Sequence, residues 1–450
     1  METTSIFSKI TNSTSFKLAV ILLLSLLLLI PTVFIRNLID ERQNRRDSTI
    51  EEITSKWGEE QSVMGPVLVI PYERYEKTSK NTFISKSYYF HLLPDELQIH
   101  GDMIPEVRYR GIYKVITYRS TLSISGTFSA GSFTSWPDQA DKILWKDVHL
   151  VLGISDLTGL DQIRNFDWNG RQLEMEGGIP IKSSIEQGIS TQMETDPAKD
   201  QNFLMEISLH GSESLFFVPA GKNTTVTLSS SWPDPSFDGS QLPDDRTVNE
   251  KGFKATWNAI HLTRSFPQKW TDSAFGSDIA QSAFGVRLLI PVDGYQKTTR
   301  SVKYAFLFIG LTFLVIFIME IMSRIRIHPI QYLLTGIALV IFYSLLLSLS
   351  EHLPFTIAYL IASSGIVILI FTYSLSMFKQ RKNAIITLTV LTALYGFLYM
   401  ILNVSDFALL MGNIGLFIIL AIIMFVSRKI DWYNGNLSKD SGEKANITTE

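Results

Sequence analysis

The chain has 450 residues, 46% of them hydrophobic and 18% charged, with a net charge of -3 and no cysteine. That length leaves room for a membrane part and one or two soluble domains. The near-neutral balance excludes a large basic surface for nucleic acid, and the lack of cysteine excludes a disulfide framework, thiolate catalysis and cysteine-ligated metal.

The first element is an apolar run from Leu18 to Ile35. It has a basic start at Lys9 and Lys17 and a Leu-rich centre, but it ends Leu29-Ile-Pro-Thr-Val-Phe34 without a small-x-small cleavage site. It therefore reads as an uncleaved signal anchor rather than a cleaved signal peptide. Residues 36–62 are dense in charge. Glu41 stands four before Arg45 and Glu52 four before Lys56, the favourable order for helical pairs, while Ile50, Ile53 and Trp57 share one face. This predicts a helical stalk; a flexible charged linker is the competing reading.

From Met64 the texture changes to short apolar or alternating runs broken by Gly, Pro, Asn and Asp, the mark of strands and turns. Thr121 to Phe128 alternates Leu122, Ile124 and Phe128 against Thr121, Ser123, Ser125 and Thr127, so one face is buried and the other wet. Similar runs occur at Val148–Leu152, Phe203–Leu209, Leu215–Val218, Thr224–Leu228 and Val286–Ile290. A mainly antiparallel β-sandwich, or a pair of them, is predicted, with nothing helical of length before residue 304. Gly65, Leu68, Ile70, Pro71, Tyr75, Lys77 and Thr78 recur at a constant offset as Gly285, Leu288, Ile290, Pro291, Tyr295, Lys297 and Thr298, and Ser135-Trp-Pro-Asp138 recurs as Ser231-Trp-Pro-Asp234. A duplicated β-domain is one reading of these echoes, and chance similarity of two apolar strands is the other. Asp156–Asn202 and Pro233–Lys251 are polar stretches expected as long surface loops.

Five further apolar runs follow: Tyr304–Met322, Ile330–Ser350, Leu353–Phe378, Ala384–Leu402 and Phe407–Ser427. Each has about the 20 residues a helix needs to cross the hydrocarbon core. Lys and Arg alternate between the short connections. Arg324 and Arg326, then Lys379, Arg381 and Lys382, then Arg428 and Lys429 lie on one side, while Glu351–His352 and Asn403–Asp406 have neither. By the positive-inside rule both termini are cytoplasmic and residues 36–303 lie across the membrane. Arg36, Arg42, Arg45 and Arg46 oppose this, but Asp40, Glu41, Asp47, Glu51 and Glu52 lie among or just after them, and large domains translocate largely regardless of charge.

No nucleophile elbow, phosphate loop, His-Glu-x-x-His or Asp-rich calcium loop is present. His91 and His100 suit no zinc spacing and are expected in surface or turn positions; His149, His210 and His261 lie in or beside strands. The polar residues of interest are at the membrane, where an ionisable group is costly and calls for a partner. Glu320 either pairs with Arg324 one turn on, or faces the bundle interior near His328 and Gln331. Glu351 and His352 occupy a connection short enough to make its flanking helices antiparallel neighbours, where they are candidates to pass the state of the β-domain to the bundle. Gly310, Gly336, Ala358, Ala362, Gly365, Gly412 and Gly415 supply small residues for close helix contact.

Gly65-Pro-Val-Leu-Val-Ile-Pro71, Leu93-Pro-Asp-Glu-Leu97, Arg108-Tyr-Arg-Gly-Ile-Tyr113, and above all His328-Pro-Ile-Gln-Tyr-Leu333 leading to Phe342-Tyr343 and Leu347-Ser-Leu-Ser-Glu-His352, resemble the CreD family of bacterial inner-membrane proteins. The resemblance runs from the first span to the sixth. It implies an inner-membrane protein linked to envelope integrity and envelope stress, induced in some bacteria by a two-component system and connected with tolerance to agents that attack the envelope. It brings no catalytic residues. Glu320, His328, Gln331, Glu351 and His352 fall in or beside its patterned region.

The expected architecture is a helical membrane protein with a large mainly-β extracytoplasmic domain and six transmembrane helices, one N-terminal and five C-terminal. Its parts are a cytoplasmic N-terminus (1–17), the first span (18–35), the charged stalk (36–62), a periplasmic β-rich domain (63–303), the five-helix block (304–427) and a cytoplasmic tail (428–450). The expected role is non-enzymatic and without a cofactor or metal. The β-domain binds or senses an envelope partner, and the bundle, in contact with membrane lipid, anchors or couples it. A transporter or lipid handler whose domain receives cargo is the alternative, favoured by a continuous polar cavity in the bundle and disfavoured by tight packing. A membrane hydrolase would need a cluster of Asp, Glu, His or Ser converging in the fold.

Overall fold

The computed structural model describes residues 14–77, 83–134, 140–180, 185–271, 275–289, 294–323, 325–378, 380–404 and 407–428. The chain divides into two compact units. One is built from the two ends of the chain, up to Arg45 and from residue 292 onward; the other spans Arg46 to residue 291.

The described residues begin with helix α1 (Thr14–Leu27), followed after Leu28 by α2 (Leu29–Trp57). Pro31 accounts for the joint. Its ring crowds the carbonyl four residues back, at Leu27, while its missing N–H falls in the first turn of α2, where no donor is needed. The predicted helical pairs form, with Arg45–Glu41 at 3.1 Å and Lys56–Glu52 at 3.0 Å. The charged stalk is thus the continuation of the first span, and it ends at Trp57 rather than at residue 62. Gly58 stops it with φ +138°, and a Cβ there would press on the carbonyl of His210.

The second unit holds two sheets. In the larger, the long strand Gln61–Lys77 is central. It pairs with Val148–Ile154, Phe83–Leu92 and Lys142–Ile143 antiparallel and with Ser214–Val218 parallel. Its segment Val67, Leu68, Val69 and Ile70 is fully buried, so it reads as an unbroken apolar run rather than an alternating one. The smaller sheet orders its strands Asp245–Asn249, Gly252–Ile260, Asn223–Ser230, Glu96–Arg110, Tyr113–Phe128, Gln201–Ser212, Leu160–Trp168 and Arg171–Gln172. Here the period is two: Leu97, Ile99 and Met103 face inward, and Gln98, His100 and Asp102 face out. A short helix, α3 (Gly276–Gln281), precedes the strand Phe284–Leu288.

Several expectations change here. Asp156–Asn202 and Pro233–Lys251 carry strands at Leu160–Trp168, Gly188–Met193, Pro235–Gly239 and Asp245–Asn249; these lie at sheet edges or one strand in from them, where polar residues are tolerated and the apolar alternation of central strands is lost. The two echoing strands do not form two domains. Gln61–Lys77 and Phe284–Leu288 flank the same strand, Ser214–Val218, run in opposite directions, and share one core. The matches at Thr78, Ile290 and Pro291, and the Ser135–Asp138 partner of the second echo, lie outside the described residues. His91 is buried rather than at the surface, in register with Trp270 and stacked on its ring at 5.0 Å.

The second half of the helical unit starts earlier than residue 304, with the amphipathic helix α4 (Gly294–Lys303), in place of the β-domain expected to run to residue 303. After it come α5 (Ala305–Ser323), α6 (Pro329–Ser350), α7 (Phe355–Met377), α8 (Arg381–Asn403) and α9 (Ala408–Ser427). The N-terminal helical run Phe16–Trp57, which covers α1 and α2, and α5 to α8 are long and apolar enough to cross a membrane; the sixth predicted run is helical, with its apolar part at Leu410–Phe425. The bundle interior is filled with aromatic rings. Phe342 packs edge-on against Tyr343, Tyr359 and Tyr395, and the Tyr359 hydroxyl donates to the Tyr395 carbonyl at 2.6 Å. Gly336 sits against Leu28 and Phe313, and Gly415 against Phe397, with no room for a Cβ at either, while Ala358 and Ala362 are fully buried. Gly310, Gly365 and Gly412, predicted as close contacts, instead border open space.

Burial lowers the His91 imidazole from the ordinary 6.5 to about 4. The unfolded chain then binds the proton first, so the stability from the neutral ring is full above about pH 6.5 and is lost as pH falls toward 4, by about 3 kcal/mol. Urea unfolding of the full-length protein at pH 7.5 and 4.5 checks this, and His91→Phe should flatten the difference.

Candidate functional site

The polar residues of the helical unit gather at the two ends of α6. Its 22 residues make it about 33 Å long, close to the thickness of a bilayer's hydrocarbon core.

At the first end the chain leaves α5 and turns into α6. Pro at the first helical position needs no partner for a missing N–H, and His328 precedes it as the cap. Ile330 N–H donates to His328 Nδ1 at 3.3 Å, and His328 N–H donates to Gln331 Oε1 at 3.0 Å. Both side chains are thereby engaged in starting the helix. One residue later Tyr332 turns inward, and its hydroxyl donates to Glu320 Oε2 at 2.8 Å. Ile327 N–H donates to Glu320 Oε1 at 3.1 Å, and Lys17 of α1 completes the set as an ion pair on the same oxygen. Glu320 is 3% exposed. A carboxylate at this depth is tolerable because a cation, a hydroxyl and a backbone donor share its charge. Beside it lies a cleft of about 90 Å³, walled by Phe16, Val20 and Pro329 among others.

At the other end Glu351 closes α6. It is mostly buried, accepts from the Tyr295 hydroxyl of α4 at 3.2 Å and faces Arg42 of α2 at 3.8 Å. The neighbouring Lys297 donates to Asn403 Oδ1 at 2.7 Å and lies 5.1 Å from the Phe355 ring. His352 is exposed and its side chain joins none of this; its N–H bonds Leu349 O at 3.1 Å.

Of the five residues singled out, Glu320 faces the interior, but its partners are Lys17 and Tyr332. His328 and Gln331 cap the helix instead. The alternative partner Arg324 lies outside the described residues. Glu351 is gripped by two helices, and His352 is not brought to it. Sequence reading missed Lys17, Tyr332, Arg42 and Tyr295. A usable signal existed for two of them: Lys17 and Arg42 border the first apolar run as Glu320 and Glu351 border the ends of later ones, so alternating spans bring each pair to one level.

The β unit holds a second polar cluster at the C-terminal end of α2. The Trp57 ring stacks on His210 at 4.2 Å and carries the Arg108 guanidinium 3.4 Å from its centroid, while Arg110 pairs with Glu52 at 2.6 Å. Both arginines come from one hairpin, whose turn uses Gly111 at φ +61°. Burial, more than the nearby arginines, lowers the His210 imidazole, against the opposing pull of Asp161. Next to this cluster an open cleft of about 610 Å³ is lined by Asp47, Glu51, Glu59, Glu60 and Glu213 with Arg46; burial, reinforced by Glu60, raises the Glu213 carboxyl. Among the described residues no three His, Asp or Glu side chains are grouped to hold a metal ion.

Removing the Glu320 carboxylate strands Lys17 and Tyr332. Glu320→Ala is expected to cost about 3 kcal/mol, and Lys17→Ala with Glu320→Ala to cost less than the sum of the two single changes. Thermal unfolding of the purified protein across this double-mutant cycle measures the coupling.

The family model described as Inner membrane protein CreD matches residues 13–433. The inner membrane protein CreD of Escherichia coli (strain K12) is 35% identical over 433 residues, which cover 94% of this chain and 95% of that protein.

Proposed function

The chain belongs to the CreD family of inner membrane proteins, and we propose that it supports cell-envelope integrity by coupling a periplasmic binding or sensing domain to a six-span bundle, without chemistry of its own. The observation that carries this reading is α2. One helix runs unbroken from Leu29 to Trp57, its residues up to Arg45 belonging to the helical unit and those from Arg46 to the β unit. Its first part is tied to α6 through Arg42 and Glu351, and its last residue is clamped between Arg108 and His210. The continuity of this helix is what supports coupling in this reading.

The non-enzymatic part is supported by how the polar side chains are used. Glu320 is saturated by three partners, His328 and Gln331 cap a helix, and Glu351 joins three helices. The aromatic filling of the bundle by Phe342, Tyr343, Tyr359 and Tyr395 favours this reading over the transport alternative. The open acidic cleft beside the end of α2 gives the domain a surface suited to a cationic partner.

Two measurements test the proposal. Reporter fusions at residue 200, in the 379–382 loop and at the C-terminus should report outside, cytoplasm and cytoplasm; the reverse pattern would make the β-domain a cytoplasmic module and end this reading. Ser48→Pro with Thr49→Pro should break α2 and abolish complementation of a deletion strain's tolerance to envelope-damaging agents at normal protein level. Full tolerance with a broken helix would refute the coupling.

A further inference from the structure

The outer face of α4 and the first turns of α5 combine two properties that one class of membrane molecule shares. In α4 the buried residues are Tyr295, Thr298, Ser301 and Val302. At about 100° per residue, Lys297, Arg300 and Lys303 centre on the opposite side of the helix. Hydrogen bonds from Tyr304 N to Ser301 O at 3.1 Å and from Phe308 N to Tyr304 O at 3.2 Å carry the helical register across the joint with α5. The outward face therefore continues from Arg300 and Lys303 to Phe306, Leu307 and Gly310. Phe306 is half exposed, and a Cβ on Gly310 would meet nothing within 4 Å.

The change from basic to apolar along this face falls at a definite level. Gly294 lies beside Ser350, Tyr295 touches Glu351, and Lys297 reaches Asn403 and Phe355. These are the ends of α6 and α8 and the start of α7, where spans leave the hydrocarbon. Lys297 is held by Asn403, and the nearby carboxylate of Glu351 is engaged by Arg42 and Tyr295. Among the described residues Arg300 and Lys303 have no acidic partner.

We propose that this face binds one anionic phospholipid, with its phosphate between Arg300 and Lys303 and an acyl chain along Phe306, Leu307 and the open groove at Gly310. The charge of the two side chains selects an anionic headgroup, and the apolar continuation selects a lipid over a free phosphate. The site is independent of which side of the membrane the β-domain occupies.

The test is native mass spectrometry of the full-length protein in detergent, titrated with phosphatidylglycerol and with phosphatidylcholine of the same acyl chains. The wild type should retain phosphatidylglycerol preferentially. Arg300→Gln with Lys303→Gln should weaken that lipid by at least about tenfold, since each basic side chain at an anionic surface gives roughly fivefold, and should leave phosphatidylcholine unchanged. Arg300→Lys with Lys303→Arg keeps both charges and should keep the preference, which separates charge from folding; the single changes to Gln should fall between. Gly310→Leu should weaken both lipids. Equal retention of the two lipids by the wild type, undiminished phosphatidylglycerol binding by the double Gln variant, or its displacement by inorganic phosphate alone would each overturn the assignment.

Discussion

A buried carboxylate must be answered wherever the fold puts it, and in this protein that requirement ties the two ends of the chain together. Glu320 on α5 is met by Lys17 on α1, from the opposite end of the sequence, and by Tyr332 on α6. The far end of α6 repeats the device with Glu351, Arg42 and Tyr295. Between them Gly336 lets Leu28 approach α6 closely enough to exclude any side chain. The first helix is thus fastened at three heights, and moving it means stripping a charge partner at each end as well as opening a packed seam.

The β-domain works on a different principle. Its long central strand is buried on both faces, and its register is set by apolar contact rather than by charge. Polar detail enters where α2 ends. The hairpin around Gly111 places Arg108 on the Trp57 ring and Arg110 on Glu52, while the strand Gln201–Ser212 supplies His210 to the other face of the clamp. Asp95 organises another part of this unit, accepting from Ser129 N–H and Ser132 Oγ at 2.8 Å each, and Gln268 bonds the carbonyls of Leu93 and Pro94. The stretches 93–97, 108–113 and 328–352, which carry the family resemblance, are therefore joints: a loop anchor, a helix clamp, and the cap and tail of α6.

These joints are made where side chains from separate elements meet at a single polar group. The buried Glu320 beside Tyr332 and Lys17 links α5, α6 and α1. The same residues give the bundle a defined relation between α1, α5 and α6, and Arg42 of α2 adds the contact to Glu351 at the far end of α6.

The sequence by itself determined the apolar runs, the alternating strands and the charged helical stalk, because each depends on a period of two or of 3.6 within a single element. It also held the start of α6, since His328, Pro329 and Gln331 act on backbone groups a few residues away. The polar strands at and near the sheet edges between 156 and 251 and the helix α4 escaped it, the former because polar residues are tolerated there, the latter because half of its buried face, Thr298 and Ser301, is polar. The sequence brings Lys17 and Arg42 to the levels of Glu320 and Glu351, but tertiary structure alone decided that these side chains meet, that His91 is buried under Trp270, and that Arg108 covers Trp57. Each is a meeting of side chains from separate elements, set by which faces pack, and local periodicity carries no record of the partner across the gap.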